Sequence, residues 1–377
     1  MADPYNEIRP YRDTEVSGVI EDLLGDDEFI DTLMALRGNK VAKWFPFIAR
    51  AFARRFLKRQ IADVDTVEGF QGLVKTRLDR VVATTSHFSS DGIQALSPDC
   101  SYLFISNHRD IVMDSAYANI VLVEQGHRTA QIAIGDNLLQ KPWVSHLMRV
   151  NKSFIVKRNL SGPKQQLAAS KQLANFMRNA ITENEGSLWI AQREGRAKDG
   201  NDRTEAAVLK MLTLSRDKQS ESADEVLGKL SIVPLTVSYE LDPCDCLKAQ
   251  ELAVGDDYRK RQYEDLESIA AGITGEKGRV HLQFGDPLAS ELLSVSDAVK
   301  TVDKQMIENY RLFQTNVWAY EALGGEDVAA LPQVDTASIS HKQFMARFED
   351  LTPLERNLAL SAYAKPVFNW LHHLAKS

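Results

Sequence analysis

His108 lies in the run Ser106-Asn107-His108-Arg109-Asp110-Ile111-Val112-Met113-Asp114, after the apolar stretch Tyr102 to Ile105 and before a segment that reads as a helix. An imidazole at a strand-to-helix turn, with two carboxylates within reach, is the placement of a general base with an orienting acid. Alone, a histidine near a strand end is more often a satisfied structural residue. Three further segments change that weighting. Val150 to Arg158 reads Val-Asn-Lys-Ser-Phe-Ile-Val-Lys-Arg, a strand whose end delivers Lys157 and Arg158. Ser187 to Arg196 reads Ser-Leu-Trp-Ile-Ala-Gln-Arg-Glu-Gly-Arg, a strand followed by Glu194, Gly195 and Arg196. Ile232-Val233-Pro234-Leu235 is another strand, interrupted by proline. Ligands of open α/β sheets bind beyond the carboxyl ends of the strands, so groups delivered to one sheet edge can converge.

The elements that must position these groups follow from periodicity. Residues 1–90 carry helical signals, with Leu23, Phe29, Leu33 and Leu36 roughly on one face and a second short candidate from Val64 to Leu78. From about residue 100 to 290, short apolar strands alternate with helices: Tyr102 to Ile105 then 111–124, Gln131 to Ile134 then 137–149, Ser153 to Val156 then 163–183. Strands follow at Ser187 to Ala191, Ser231 to Tyr239 and Val280 to Phe284. That alternation predicts an α/β fold, a mixed and mostly parallel sheet covered by helices on both faces. The spacing Val299, Val302, Met306, Tyr310, Phe313 predicts an amphipathic helix. The expected organisation is an N-terminal helical region over 1–90, an α/β domain over 91–325, and a linker with a helical tail over 326–377.

Composition excludes several classes. The chain has 377 residues, a hydrophobic content of 44% and a formal charge of -7, with its basic residues clustered, which suits anionic substrates or lipid head groups and not nucleic acid. Cys100, Cys244 and Cys246 form no disulfide framework, and Cys244-Asp245-Cys246 lacks a second ligand pair, so no metal is expected. Gly-rich phosphate loops are absent, and the other histidines show no ligand spacing. The start carries no secretory signal and no run of 18 apolar residues occurs, which predicts a cytoplasmic protein, at most peripheral on the inner face of a membrane. One segment bears on that point. If 40–59 is helical, Val41, Trp44, Phe45, Ile48, Phe52 and Phe56 share one arc, with Lys43, Arg50, Arg54 and Lys58 opposite and no acid among them. A basic face backed by aromatics is the pattern of a helix in an anionic membrane interface, although Arg55 and Arg59 intrude on the apolar arc. Packing of the aromatics onto the α/β domain is the competing reading. Pro46 fits a first helical turn.

An Asn-His with a spaced Asp, then a Phe-Ile-x-x-Arg strand, then Glu-Gly-Arg, then a Val-Pro strand, in that order, resembles the glycerolipid acyltransferase family. That family includes glycerol-3-phosphate and 1-acylglycerol-3-phosphate O-acyltransferases. The resemblance spans roughly residues 100 to 290, and Trp189 to Gly200 is similar to the corresponding block of the soluble plastid glycerol-3-phosphate acyltransferases, which also carry an N-terminal helical domain. It implies transfer of a fatty acyl group from an acyl-CoA or acyl-carrier-protein thioester to an alcohol, with His108 as base and no further cofactor. The phosphate of the acceptor implies fixed cations, with Arg158 and Arg196 the foremost candidates and Lys157 adding charge. Glu194 then accepts from an acceptor hydroxyl or holds an arginine, and Gly195 lets the backbone approach. Lys198, Arg193 and Arg109 are as consistent with solvated positions as with phosphate. The spacing departs from the family, with five residues between His108 and Asp114 where four are usual. Asp114 is the favoured partner of the base and Asp110 the alternative, the latter also suited to capping the next helix. Gln192-Arg193 stands where Phe-Pro is commoner. A hydrolase of acyl thioesters or lysophospholipids and a non-catalytic lipid-binding protein are the rival classes.

Overall fold

A computed structural model describes residues 3–36, 46–158, 160–261, 264–289, 293–326 and 328–375. Its main strands are β1 (Ser86–Asp91), β2 (Leu103–Ser106), β3 (Gln131–Gly135), β4 (Ser153–Val156), β5 (Leu188–Ala191), β6 (Ile232–Tyr239) and β7 (Gly278–Phe284). The chain divides into two compact units. One comprises Met1–Arg77 with Gln131–Ala169, the other Leu78–Ala130 with Ser170–Ser377.

The second unit holds five of these strands in the order β1-β7-β6-β2-β5. Every neighbouring pair among them is parallel except β6 with β7, which is antiparallel. The mixed, mostly parallel α/β architecture expected from the alternation is therefore what the chain forms. β2 is buried at all four positions and β6 at all eight, so their near-continuous apolar sequences are those of strands shielded on both faces. Pro234 does not interrupt β6; it pairs in register with Ile105 of β2, and its carbonyl accepts from Gly285 N. Ser106 at the end of β2 pairs with Ala191 of β5 and Leu235 of β6, so the turns that follow β2 and β5 leave from the same level of the sheet.

Two details depart from the periodicity. β1 falls inside the stretch read as helical: Ser-His-Phe-Ser-Ser-Asp has a single large apolar residue and lies at the sheet edge with alternating burial. The amphipathic helix is Val295–Asn309, with Ala298, Val302 and Met306 buried, so Tyr310 and Phe313 fall beyond its end. The helical tail is Pro353–Leu374. It starts at a Thr352 capping box and buries Ala359, Leu360, Tyr363, Ala364 and Val367 in a cluster with Phe344 and Phe348.

In the first unit, β3 and β4 pair in parallel, Ala133 opposite Phe154 and Gly135 opposite Val156. The helices Asp13–Gly25, Asp27–Leu36, Pro46–Gln60 and Pro142–Val150 meet in a cluster that includes Val16, Val19, Ile20, Leu23, Ile30 and Trp143. Val41, Lys43, Trp44 and Phe45 of the basic-aromatic segment lie outside the described residues. The rest of that segment begins a helix at Pro46, and it orients differently from the expectation. Arg50 and Arg54 turn toward the neighbouring helix: Arg50 pairs with Asp27 (2.8 Å) and Asp31 (2.6 Å), and Arg54 with Asp27. Ala49, Ala53 and Leu57 pack into the cluster, while Phe47, Phe52 and Phe56 are exposed. Among the described residues no helix is long and apolar enough to cross a membrane.

Candidate active site

The chain leaves β2 at Ser106 and enters the helix Met113–Glu124, and the turn between them is built on the Asp114 carboxylate. Asp114 sits in the first turn of that helix, where its charge meets the positive end of the helix dipole. One of its oxygens, Oδ2, accepts from the backbone N–H of Arg109 (2.6 Å) and of Asp110 (2.9 Å), closing the turn. The same oxygen lies 2.8 Å from His108 Nδ1. The other, Oδ1, accepts from the Tyr239 hydroxyl at 2.8 Å. A carboxylate facing Nδ1 fixes that nitrogen as the proton-bearing one and leaves Nε2 as the basic atom. The Asp114 side chain is 1% exposed and the His108 side chain 15%, so the acid is sealed while the imidazole reaches the surface of the site. Trp189 of β5 presses edge-on against the imidazole, ring centroids 5.6 Å apart.

Asp110 serves the other role the spacing allowed. Its Oδ1 accepts from the N–H groups of Val112 (2.9 Å) and Met113 (2.8 Å), which satisfies the start of the following helix. The helix Glu264–Thr274 packs so closely here that a Cβ at Gly272 would collide with the Asp110 carboxyl. Burial, then the charge of Asp114, pushes the Asp110 pKa up. Asp114 pairs with the imidazole; Asp110 supports the turn.

The residues flanking His108 are held as firmly. Asn107 is fully buried: its amide donates to Val237 O (2.9 Å) and to Asp202 Oδ2 (3.0 Å), and its carbonyl oxygen accepts from Val237 N (2.8 Å). Arg109 neither meets solvent nor remains free for a phosphate. Its guanidinium lies in a buried ion pair with Asp202 (2.6 Å), and also donates to Gly200 O. Burial works against that charge, but Asp202 outweighs it and leaves the Arg109 pKa raised. Lys248 donates to the Arg109 carbonyl (2.7 Å) and pairs with Asp242, whose own pKa is held down by Lys248 in spite of burial. Ala197 N donates to the His108 carbonyl at 2.7 Å. Segment 197–202 thus touches residues 107, 108 and 109 in turn.

The remaining predicted residues divide between the two units. Arg196 immediately precedes Ala197 and is half-buried, its Nη1 buried without a partner among the described residues. Glu194 and Gly195 are exposed, and Gly195 has φ of 72°, so glycine is needed there for its left-handed backbone, with open space beside it. Arg193 pairs with Asp199 at 3.3 Å and Lys198 with Glu251, so both have protein partners. Lys157 and Arg158 follow β4 in the first unit. Lys157 pairs with Glu7 at 2.5 Å, and Arg158 N donates to Asp136 Oδ1 at 3.2 Å. Among the described residues no group of His, Cys, Asp and Glu is arranged to hold a metal ion. Burial pushes the Cys244 thiol up to about 11 and the Cys246 thiol up to about 12, which leaves neither a ready nucleophile.

Periodicity and motif order did not find Tyr239, Asp202, Lys248 or Trp189. Tyr239 and Trp189 read as apolar strand positions, and Asp202, in Asp-Gly-Asn-Asp, reads as an exposed loop residue. Only their long-range partners reveal what they do.

Fold and site together define an α/β domain carrying a carboxylate-held histidine at the end of a central strand. Residues 87–235 match the family model described as Acyltransferase. Among solved structures, the chain is similar to the 1-acyl-sn-glycerophosphate (LPA) acyltransferase PlsC from Thermotoga maritima. The identity is 15%, the match covers 75% of this chain and 90% of that one, and the TM-score is 0.35. No curated protein matches the chain.

Proposed function

We propose that this protein is an acyltransferase that moves a fatty acyl group from an acyl-CoA or acyl-carrier-protein thioester to a hydroxyl of glycerol-3-phosphate or 1-acylglycerol-3-phosphate. The observation that carries the proposal is the His108–Asp114 pair at 2.8 Å, with the carboxylate sealed and Nε2 left as the base. In this reading His108 Nε2 takes the proton of the acceptor hydroxyl as its oxygen attacks the thioester carbonyl. The tetrahedral adduct collapses by breaking the carbon–sulfur bond, and the imidazolium returns its proton to the leaving thiolate. The products are an ester and a free thiol, and no acyl-enzyme forms. Asp114 stabilises the transient imidazolium and fixes its tautomer, and general-base help of this kind is worth roughly 10²- to 10⁴-fold. Arg196, in the same unit as His108, is the proposed cation for the acceptor phosphate, because a guanidinium group binds that anion bidentately.

The membrane part of the reading moves to a different helix face. Arg50 and Arg54 are neutralised by Asp27 and Asp31, whereas Phe47 and Phe52 are 80% and 71% exposed, and Arg55 and Arg59 are exposed on the same helix. Aromatic side chains flanked by exposed cations suit an anionic lipid interface. A cytoplasmic enzyme docked on the inner face of the membrane is consistent with that surface. Replacing Phe47 and Phe52 by Ser should abolish co-sedimentation with phosphatidylglycerol vesicles; retention of the wild-type level would refute the docking surface.

An acceptor panel tests the reaction. Free-thiol release is followed with one acyl-CoA and one acyl carrier protein donor, with and without each glycerol phosphate. The proposal expects release that depends on an acceptor. Release without one identifies a thioester hydrolase, and no release with any combination removes the catalytic reading.

A further inference from the structure

We propose that Tyr239 is a positioning residue of this site: its hydroxyl holds the second oxygen of Asp114 and thereby sets the pH range over which His108 acts as a base. The inference goes beyond the acyl-transfer reading in its titration arm and rests on that reading in its kinetic arm.

The Asp114 carboxylate has two sides with different owners. Oδ2 is surrounded by its own turn, through Arg109 N, Asp110 N and His108 Nδ1. Oδ1 is reached by a residue 125 positions away, at the end of β6, at 2.8 Å. Tyr239 is buried, and burial together with the negative charge of Asp114 raises its pKa well above the ordinary phenol range, so its hydroxyl keeps its proton and donates. The other groups around the carboxylate are engaged elsewhere. Asp110 caps Val112 and Met113. Tyr117 contacts the Tyr239 ring but sends its hydroxyl to Ser86 Oγ at 2.9 Å. Lys248 donates to the Arg109 carbonyl and pairs with Asp242, and Lys277 donates to Thr85 Oγ1 and Gly275 O. Trp189 meets the imidazole edge-on.

Two consequences follow from that donor. It stops the carboxylate from rotating away from Nδ1, which keeps the imidazole aimed. It also withdraws charge from the carboxylate, so Asp114 attracts the imidazolium less strongly than it would alone. Removing the hydroxyl therefore has a signed effect: the imidazolium becomes more stable, and His108 loses its proton at higher pH.

Tyr239→Phe tests this with two readouts. The kcat/KM profile for acyl transfer should show its ascending limb moved to higher pH, with kcat reduced roughly tenfold, the scale of one hydrogen bond to a charged group. The NMR titration of the His108 imidazole in the unliganded protein should move upward by roughly half a unit or more, and this needs no enzymatic activity. If the chain shows no acyl transfer, the titration alone decides, so failure of the reaction and failure of the inference are separate results. Where the Phe variant does not fold, 3-fluorotyrosine at position 239 supplies a stronger donor in nearly the same volume and should move the titration downward. An unchanged His108 titration in whichever variant folds would overturn the inference, as would a shift opposite in sign to the one given for it.

Discussion

The turn from Asn107 to Asp114 and the segment from Gln192 to Asp199 leave the same level of neighbouring strands, yet they are held in opposite ways. In the turn, Asn107, Arg109, Asp110 and Asp114 are buried, and each is fixed by side-chain bonds, two of them to β6 residues far along the chain. In the segment, Glu194 and Gly195 are exposed, Arg193 has one long ion pair, and Arg196 keeps a guanidinium nitrogen without a partner among the described residues. Under the proposed reaction, the difference teaches which end is made before the substrate arrives. A base must already be aimed, because orientation held in advance costs nothing at the moment of reaction. For Arg196, the proposed phosphate contact, an unpaired nitrogen leaves a hydrogen bond for the incoming anion to complete.

Breaking the rigid side should produce the largest effect. His108→Ala is expected to lower kcat for acyl transfer by about 10²- to 10⁴-fold with the fold intact, measured by thiol release and circular dichroism; activity within a few-fold of wild type would remove the base. Asp202→Asn comes next, because it takes a charge from the buried pair with Arg109. The expected loss is about 3–5 kcal/mol of unfolding free energy in urea, together with reduced turnover. Arg196→Gln, on the open side, should raise KM for the phosphate-bearing acceptor by about tenfold with little change in kcat or stability. A fall in kcat alone would mean that the open segment supports the base as much as the turn does.

The smallest effect concerns Asp110. Its pKa is raised in the folded chain, so the native state binds that proton more tightly than the unfolded one. Its contribution to stability therefore falls as pH climbs from the ordinary Asp value toward the folded value. Asp110→Asn should keep the caps on Val112 and Met113 through its amide oxygen and flatten that part of the stability profile. Urea titrations of both proteins across the acidic range would show it.

Strand alternation made the α/β architecture readable, because Leu103–Ser106 and Ile232–Tyr239 are near-continuous apolar runs that suit a sheet shielded on both sides. His108 and its two candidate acids were readable because all three fall within one turn. Choosing between the acids required coordinates, since both Asp110 and Asp114 suit a helix start and only the direction of each side chain separates cap from partner. Tyr239 and Asp202 were unreadable for a different reason. Each acts across a long sequence separation, on a residue with which it shares no local pattern. β1 was missed because an edge strand of mostly polar residues has no periodic apolar signal. The facing of Arg50 and Arg54 was misjudged because the acids that neutralise them, Asp27 and Asp31, sit on a separate helix.

The central claim is that Asp114, and not Asp110, supports the base. Turnover of the two single variants, Asp114→Asn and Asp110→Asn, measured side by side under saturating donor and acceptor, tests it directly. The account predicts a fall of about 10²- to 10⁴-fold for Asp114→Asn and a change of less than about tenfold for Asp110→Asn. Equal losses in both, or the larger loss at Asp110, would contradict it.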